Sequence, residues 1–494
     1  MATASAQSPV PATSASPATS PAPEPVRVHR AISTQNATAQ AAFDDGLTLL
    51  YAFNPEEARV SFERALHADP SLAIAWWGVA MSHGININLN YDAGRQGLGH
   101  DAIAKAQALE SGASPVERSL IEAAAVRFKY DGPKDADRSA QAYRDAMKAA
   151  AAAHPLDDDV DTLAAEAEMD VHPWGFFNHD GTPIDDTEDI IARLQAVIAR
   201  SPHHLQANHL MIHALEESPH PERALPAADE LASTPLEDGA EHLMHMPAHA
   251  YMRAGHYHEA GMANLRAITA YRAYLADDPA GHTDYFGHDC LFGVDAFLMS
   301  QEAGRARDLA MLCARHGATM LQFVDLRFRR WDALEKDDNL SSFALGMLAA
   351  EEGRIPAAKT QLAVVREASD PKSTIEASVL GAEIARAAGN GDEEIAALQK
   401  GVSAQDDTWY SEPPRFFYPV RESLGGALFR AGRYDEAERA FRADLEHNPD
   451  NPRSLYGLEQ TLEREGRGDD AAATEKRLMS ASRYADVKPE MTDL

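Results

Sequence analysis

The chain has two cysteines in 494 residues, Cys290 and Cys313. Neither stands in a CxxC pair, so no disulfide framework and no thiolate zinc site is expected, and the fold has to hold without covalent staples. Long apolar runs are missing as well. None reaches the ~18 residues that span a bilayer, so no membrane span is expected. Positive charge is short: 45 Lys and Arg face 77 Asp and Glu, for a formal net charge of −32. Such a polyanion repels phosphate backbones and anionic lipid, which argues against nucleic acid and membrane surfaces as partners. Nucleotide and nucleophile motifs are absent too: there is no GxSxG, no P-loop and no strand-led GxGxxG. What remains is rich in alanine and charge and poor in strand signals, a composition that favours helices.

Residues 1–35 are dominated by Ala, Pro, Ser and Thr. Such a stretch cannot bury a core, and a disordered tail is expected there, followed by a folded region over 36–486 and a short tail over 487–494. The tail lacks the apolar segment of a signal peptide. A cytoplasmic location is therefore expected, or a periplasmic or secreted one if the true start lies upstream.

The rest of the chain repeats itself with a period near ~34 residues. Gly46, Ala58, Phe62, Ala65 and Pro70 follow the tetratricopeptide pattern of a small residue in one helix, then Ala, Phe and Ala in the next, then Pro. Gly425, Ala437, Phe441 and Pro449 follow it again, and Tyr251, Ala260 and Ala267 a third time. The expected fold is all-α, a solenoid of stacked antiparallel helix pairs. Two aromatic insertions interrupt it, near 171–186 and 404–419, and either plug an end or cover the groove. Arg327, Arg329 and Arg330 beside Trp331 make a basic spot, read as a carboxylate site or a solvated helix face.

The histidines carry most of the functional signal. His209-Leu-Met-Ile-His213 and His245-Met-Pro-Ala-His249 are both i,i+4 pairs, which put two imidazoles on one helix face. His242 lies one turn upstream of the second pair. The resemblance to tetratricopeptide repeats implies a concave groove lined by positions 2, 5, 9, 12 and 13 of each first helix. In that register Gln206, His209, His213, Glu216 and Glu217 line one unit, and His242, His245, His249, Met252 and Arg253 the next. Thr162, Glu166 and Asp170 come from the preceding unit and His288 from the following one. Pro247 lies inside the second pair and is expected to kink its helix.

Imidazole and carboxylate donors suit zinc, iron, copper or manganese. His209, His213, His245 and His249 are the expected ligands, with His242, His288, Glu217 and Asp170 as further candidates. Leu210 and Met246 stand where a metalloprotease would carry glutamate, which disfavours that class. The leading reading is a binding protein whose groove holds a divalent transition metal, a small anion or a peptide. An alternative is a metal-dependent hydrolase or oxidase, with Glu166 or Glu216 as base and Arg253 orienting an anionic substrate. A third is a metal-free protein scaffold. The histidines would then be a polar network or, with Arg253, a peptide-terminus clamp.

The two histidine segments, His209 to His213 and His245-Met-Pro-Ala-His-Ala-Tyr-Met-Arg-Ala-Gly-His-Tyr257, resemble those of a group of bacterial tetratricopeptide-repeat proteins. So do Ala75-Trp-Trp-Gly78, Ser114-Pro-Val-Glu-Arg118 and Arg327-Phe-Arg-Arg-Trp-Asp332. The resemblance spans the chain after the tail. It implies the fold and the histidine motif, and no activity. The chain departs from the pattern at Leu291, where a second histidine after His288 is expected, and at Ser341-Ser342, where an aromatic-His pair is expected.

Overall fold

In the computed structural model, residues 24–129, 136–277, 279, 281, 285–313, 319–408 and 410–494 are described. Among them there are helices, turns and two isolated bridges, Asn86 with Leu89 and Phe177 with Pro183, and no strand. Successive helices pack in pairs, Ala37–Tyr51 on Pro55–Ala68 and Val420–Arg430 on Tyr434–His447 among them, and each pair stacks on the next. This is the tetratricopeptide-type α-solenoid.

The pairs pack as the repeat residues require. A β-carbon on Gly46 would lie 2.7 Å from the Phe62 ring, and one on Gly425 would lie 2.4 Å from the Phe441 ring. Glycine lets the helices close to that distance, and each phenylalanine fills the seam. Helix starts follow their caps. The Asn54 side chain accepts from Glu57 N with Pro55 at the first position, and Ser114 and Glu117 form a capping box. Three hydrophobic cores run along the solenoid, the middle one spanning Ala52 to Ala296 beneath the histidine helices.

Four sequence expectations change. Cys290 and Cys313 form a disulfide joining helix Phe286–Met299 to the end of Ala303–Leu312. The spacing carried no motif, and the pairing arises because a helix hairpin folds the two residues together. Packing also begins before residue 36. Val26 N donates to Pro235 O at 2.7 Å, and Arg30, buried, binds Asp157 and Asp159 at 2.8 Å each. Local composition hid these contacts because every partner is remote; residues 1–23 of the expected tail lie outside the described residues. At the other end, Asp486 accepts from Ala303 N and Gly304 N, and Leu494 is buried beside Arg430, so the 487–494 segment is docked. The arginines of the basic spot are paired with carboxylates of the chain, and of the three Arg330 is exposed. Arg327 is buried against Glu422, Arg329 binds Glu383, and Arg330 lies beside Asp325.

The first insertion lies between Asp158–Met169 and Thr187–Arg200, the second between Gly391–Asp406 and Val420–Arg430. Trp409 of the second lies outside the described residues. Among the described residues no helix is long and apolar enough to cross a membrane.

Candidate metal centre

Helix Leu205–Leu215 presents His209 and His213. The next inner helix is broken at Met246 into Glu241–His245 and Pro247–Arg253. Pro247 has no N–H to donate, and His249 N turns to Met246 O at 3.2 Å, so the helix kinks inside the second pair as expected. His242 and His245 end one segment and His249 lies in the other. His288 comes from Phe286–Met299.

The four expected ligands do not form one site. They divide between two trios, one of His209, His213 and His242, the other of His245, His249 and His288, and in each trio the ring nitrogens lie within 4.8 Å of one another. In the first, His209 Nε2 is 3.2 Å from His242 Nε2. In the second, His245 Nε2 is 2.7 Å from His249 Nε2 and 3.3 Å from His288 Nε2. The trios adjoin: ring centroids of His213 and His249 are 5.7 Å apart, and those of His242 and His245 are 6.0 Å apart.

What surrounds these rings decides where their protons sit. His209 Nδ1 donates to Tyr51 O at 3.0 Å. It also faces Gln206 Oε1, whose amide is oriented by donating from Nε2 to Glu166 Oε2 at 3.3 Å. His213 Nδ1 donates to Glu216 Oε1 at 3.0 Å. His245 Nδ1 donates to Asn264 Oδ1 at 2.6 Å, with Asp289 Oδ1 3.3 Å away. Asn264 cannot present its amide nitrogen instead, because Nδ2 is committed to Ala260 O at 2.9 Å. A neutral imidazole with its proton on Nδ1 leaves a lone pair on Nε2. His209, His213 and His245 therefore turn Nε2 lone pairs into the centre, and the Nε2 of His213 has no hydrogen-bond partner.

Protonation does not relieve this arrangement. Burial pushes the pKa of His209, His242, His245 and His249 well below the ordinary 6.5, and neighbouring imidazoles push it further. Burial brings His213 down to about 3 and His288 to about 4. The rings are thus neutral near pH 7, the form that binds metal. A tetrahedral ion with metal–nitrogen bonds of ~2.0–2.1 Å sets its nitrogens about 3.3–3.4 Å apart. The 3.2 and 3.3 Å contacts match that edge, and the 2.7 Å contact has to open by a few tenths to admit an ion.

A third group adjoins the second trio. His249 Nδ1 lies 2.7 Å from Glu216 Oε2 and in close contact with Glu412 Oε2. None of these three atoms has a hydrogen bond of acceptable direction. Buried polar atoms without partners are rare in folded proteins, and several are gathered here.

Apolar rings wall the centre. Phe53 stacks on His242 with centroids 5.4 Å apart and meets the edge of His209 at 4.5 Å; Phe292 packs on His245 at 5.4 Å and His249 at 5.2 Å. Trp174, from the first insertion, meets His213 at 5.4 Å. Phe53 has φ 51° and Trp174 φ 59°, a region bulky residues seldom adopt, so the surrounding packing holds these two rings in place.

The remaining expected residues have other partners. Asp170 is buried against Arg127 at 3.1 Å and belongs to neither trio. Glu217 Oε2 accepts from Phe176 N at 3.3 Å and anchors the first insertion. Glu166 acts through Gln206. Arg253 donates from Nε to Glu216 O at 3.1 Å and lies over the Tyr410 ring. Sequence reasoning missed Tyr51, Phe53, Asn264, Asp289 and Glu412. Tyr51 and Phe53 reach the centre from a remote hairpin, whereas Asn264 lies on the helix paired with the second histidine segment and Asp289 follows His288. The signal for Glu412 was its place in the flagged second insertion.

A cavity of about 460 Å³ adjoins the centre, with Phe292, Arg253, Glu412 and Tyr410 among its lining residues. Both insertions contribute to its wall, His179 from the first and residues through Pro419 from the second.

No family model and no curated protein matches the chain. Among solved structures, the fold is similar to the Cut9–Hcn1 hetero-tetramer of the APC/C, at 15% identity and TM-score 0.30, covering 90% of this chain and 74% of that one. Human IFIT1, solved as a dimer with m7Gppp-AAAA, matches at 11% identity and TM-score 0.35, covering 89% and 90%. Yeast Tom70 matches at 10% identity and TM-score 0.28, covering 91% and 93%. At these scores none of them bears on function.

Proposed function

We propose that this chain is a transition-metal-binding protein with an adjoining pair of three-histidine sites, and that its centre acts on a small molecule held in the neighbouring cavity. The carrying observation is the convergence of six imidazoles, three of which, His209, His213 and His245, are turned Nε2-inward by an acceptor on Nδ1. Outer partners of this kind orient metal-bound histidines elsewhere. Three protein ligands per ion leave a coordination position for water or substrate, the pattern of catalytic rather than structural zinc sites. All-imidazole donors suit zinc or copper better than manganese, which prefers oxygen. The protein supplies the donors and the dry, aromatic wall, and the ion would supply Lewis acidity or, if copper, a redox couple. Glu412, beside His249 and on the cavity wall, is placed to exchange a proton with a bound water or substrate.

A peptide-binding scaffold is the second reading, favoured by the helical-repeat fold. Against it, all of these histidines except His288 are buried, so the inner face here is filled rather than open. The test is elemental analysis of purified, untagged protein beside a His209→Ala, His245→Ala double variant. About two equivalents of zinc or copper per chain, lost in the variant, are expected. A folded wild type that retains no metal after reconstitution would refute the reading and leave the scaffold.

A further inference from the structure

We infer that the 460 Å³ cavity beside the centre binds an aromatic carboxylate. This rests on the metal reading above. The volume lies within the ~300–1,000 Å³ of small-molecule sites. The cavity opens onto the second trio through two shared residues: Phe292, packed on three of its rings, and Glu412, in contact with His249.

Charge sets the sign of the ligand. Six neutral imidazoles bring no negative charge to two divalent ions; the carboxylates beside the rings are Glu216, Glu412 and Asp289, three against four positive charges, with Glu217 and Asp406 further along the cavity wall. Arg253 adds a further cation at the same end of the cavity. Its guanidinium is held by donation from Nε to Glu216 O and by the Tyr410 ring, 5.6 Å away. A planar fork fixed in this way matches a carboxylate in two parallel hydrogen bonds.

The far wall sets the body of the ligand. Phe416 and Phe417, with centroids 4.7 Å apart, both line the cavity, and Tyr418 packs 4.9 Å from Phe416. Such rings receive an aromatic group by edge or offset face. Asp295, a buried acid that also lines the cavity, has no hydrogen-bond partner for its Oδ1. Burial pushes its pKa well up, so it offers an O–H to a polar substituent.

The probe is 2-naphthoate, compared with the neutral 2-naphthylmethanol, titrated into the intact chain in metal-free and zinc-loaded forms. Metal content is measured on the same samples, and helix content by circular dichroism. Saturable binding of one naphthoate to the zinc-loaded chain is expected, at least tenfold tighter than the alcohol. Arg253→Met should remove that preference without weakening the alcohol. Ser411→Trp, which fills the cavity from its wall, should abolish both while zinc is retained. Arg253→Lys replaces Arg253→Met if the latter loses helix content, with the same loss of preference expected. Naphthoate binding no tighter than the alcohol, or unchanged in Ser411→Trp, would overturn the inference. Zinc retained without naphthoate binding would overturn it and leave the metal reading standing. If zinc is not retained, the metal reading fails, and the metal-free titration decides on the cavity alone.

Discussion

Two buried polar clusters in this solenoid treat their polar atoms in opposite ways. Around Glu422, opposite charges and amides close on one another. Arg327 binds it with two nitrogens, Asn451 Nδ2 reaches its Oε2 at 3.1 Å, and Arg453 Nε donates to Gln301 Oε1 at 3.1 Å. Asp444 accepts from Asn448, Asn451 and Ser454. Within that cluster only Arg327 Nε lacks a partner. Around the histidines, His213 Nε2, His242 Nδ1, His249 Nδ1, Glu216 Oε2 and both oxygens of Asp289 and Glu412 lack one. The first cluster is complete as protein and serves the fold. The second leaves these atoms without partners inside the protein, and the proposed metal centre is the reading of that difference.

Breaking each cluster should separate the two roles. The largest effect of a single substitution is expected for Glu422→Ala, which leaves Arg327 and Arg453 buried without their carboxylate. A loss of about 3–5 kcal/mol is expected in denaturant unfolding, with metal content unchanged. Chelating the metal should cost the wild type about 4 kcal/mol per site when free metal had stood near 1,000 times its Kd. The same increment should appear in Glu422→Ala and vanish in the His209→Ala, His245→Ala variant. An increment that survives in that variant would place the metal elsewhere.

Asn264→Ala tests the outer shell alone. It removes the acceptor that turns His245 inward, and metal affinity should fall about 10–100-fold in a competition titration. Retained affinity would mean that the Nδ1 partners are incidental.

One group from each cluster, His213 and Asp444, should tilt the pH profile of the metal-free chain in opposite directions. His213, held near 3 by burial against an ordinary 6.5, refuses protons that the unfolded chain accepts. Stability from this group falls as pH drops from 6.5 towards 3, by up to about 1.4 kcal/mol per pH unit. Asp444 is raised by burial, and then by Glu422, from 3.8 to about 7. It keeps a proton the unfolded chain has released, so its contribution is present below 3.8 and lost as pH rises towards 7. Between pH 4 and 6.5, His213→Gln should remove part of the rising slope and Asp444→Asn part of the falling one. A shared direction for both would contradict the contrast.

The smallest effect is expected for His172→Ala. His172 is more than half exposed and its only ion pair, with Asp185 at 3.3 Å, is at the surface. Such pairs contribute about 0–1 kcal/mol, and metal content should not change.

How much of this was legible in the sequence follows distance along the chain. Gly46 with Phe62, and Gly425 with Phe441, are spaced by the hairpin itself, so the repeat could be read and the structure bears it out. The i,i+4 pairs and His242 share helix faces for the same reason. The division into two trios was not legible, because it depends on the kink at Pro247 and on how far His288 reaches from the next hairpin. Tyr51 O and Phe53 come 158 residues or so before the histidine they touch, and only stacking brings them there. Asp170 was misread for the same kind of reason: its partner, Arg127, sits 43 residues away on a helix whose register was never aligned with it. The Cys290–Cys313 disulfide likewise depends on a hairpin rather than a motif.

The most direct measurement is anomalous diffraction from crystals of the zinc-reconstituted chain, collected at the zinc edge. Two neighbouring peaks are expected, one bounded by Nε2 of His209, His213 and His242, the other by Nε2 of His245, His249 and His288. Density with no peak among these nitrogens, and the rings instead hydrogen-bonded through ordered water, would contradict a metal centre.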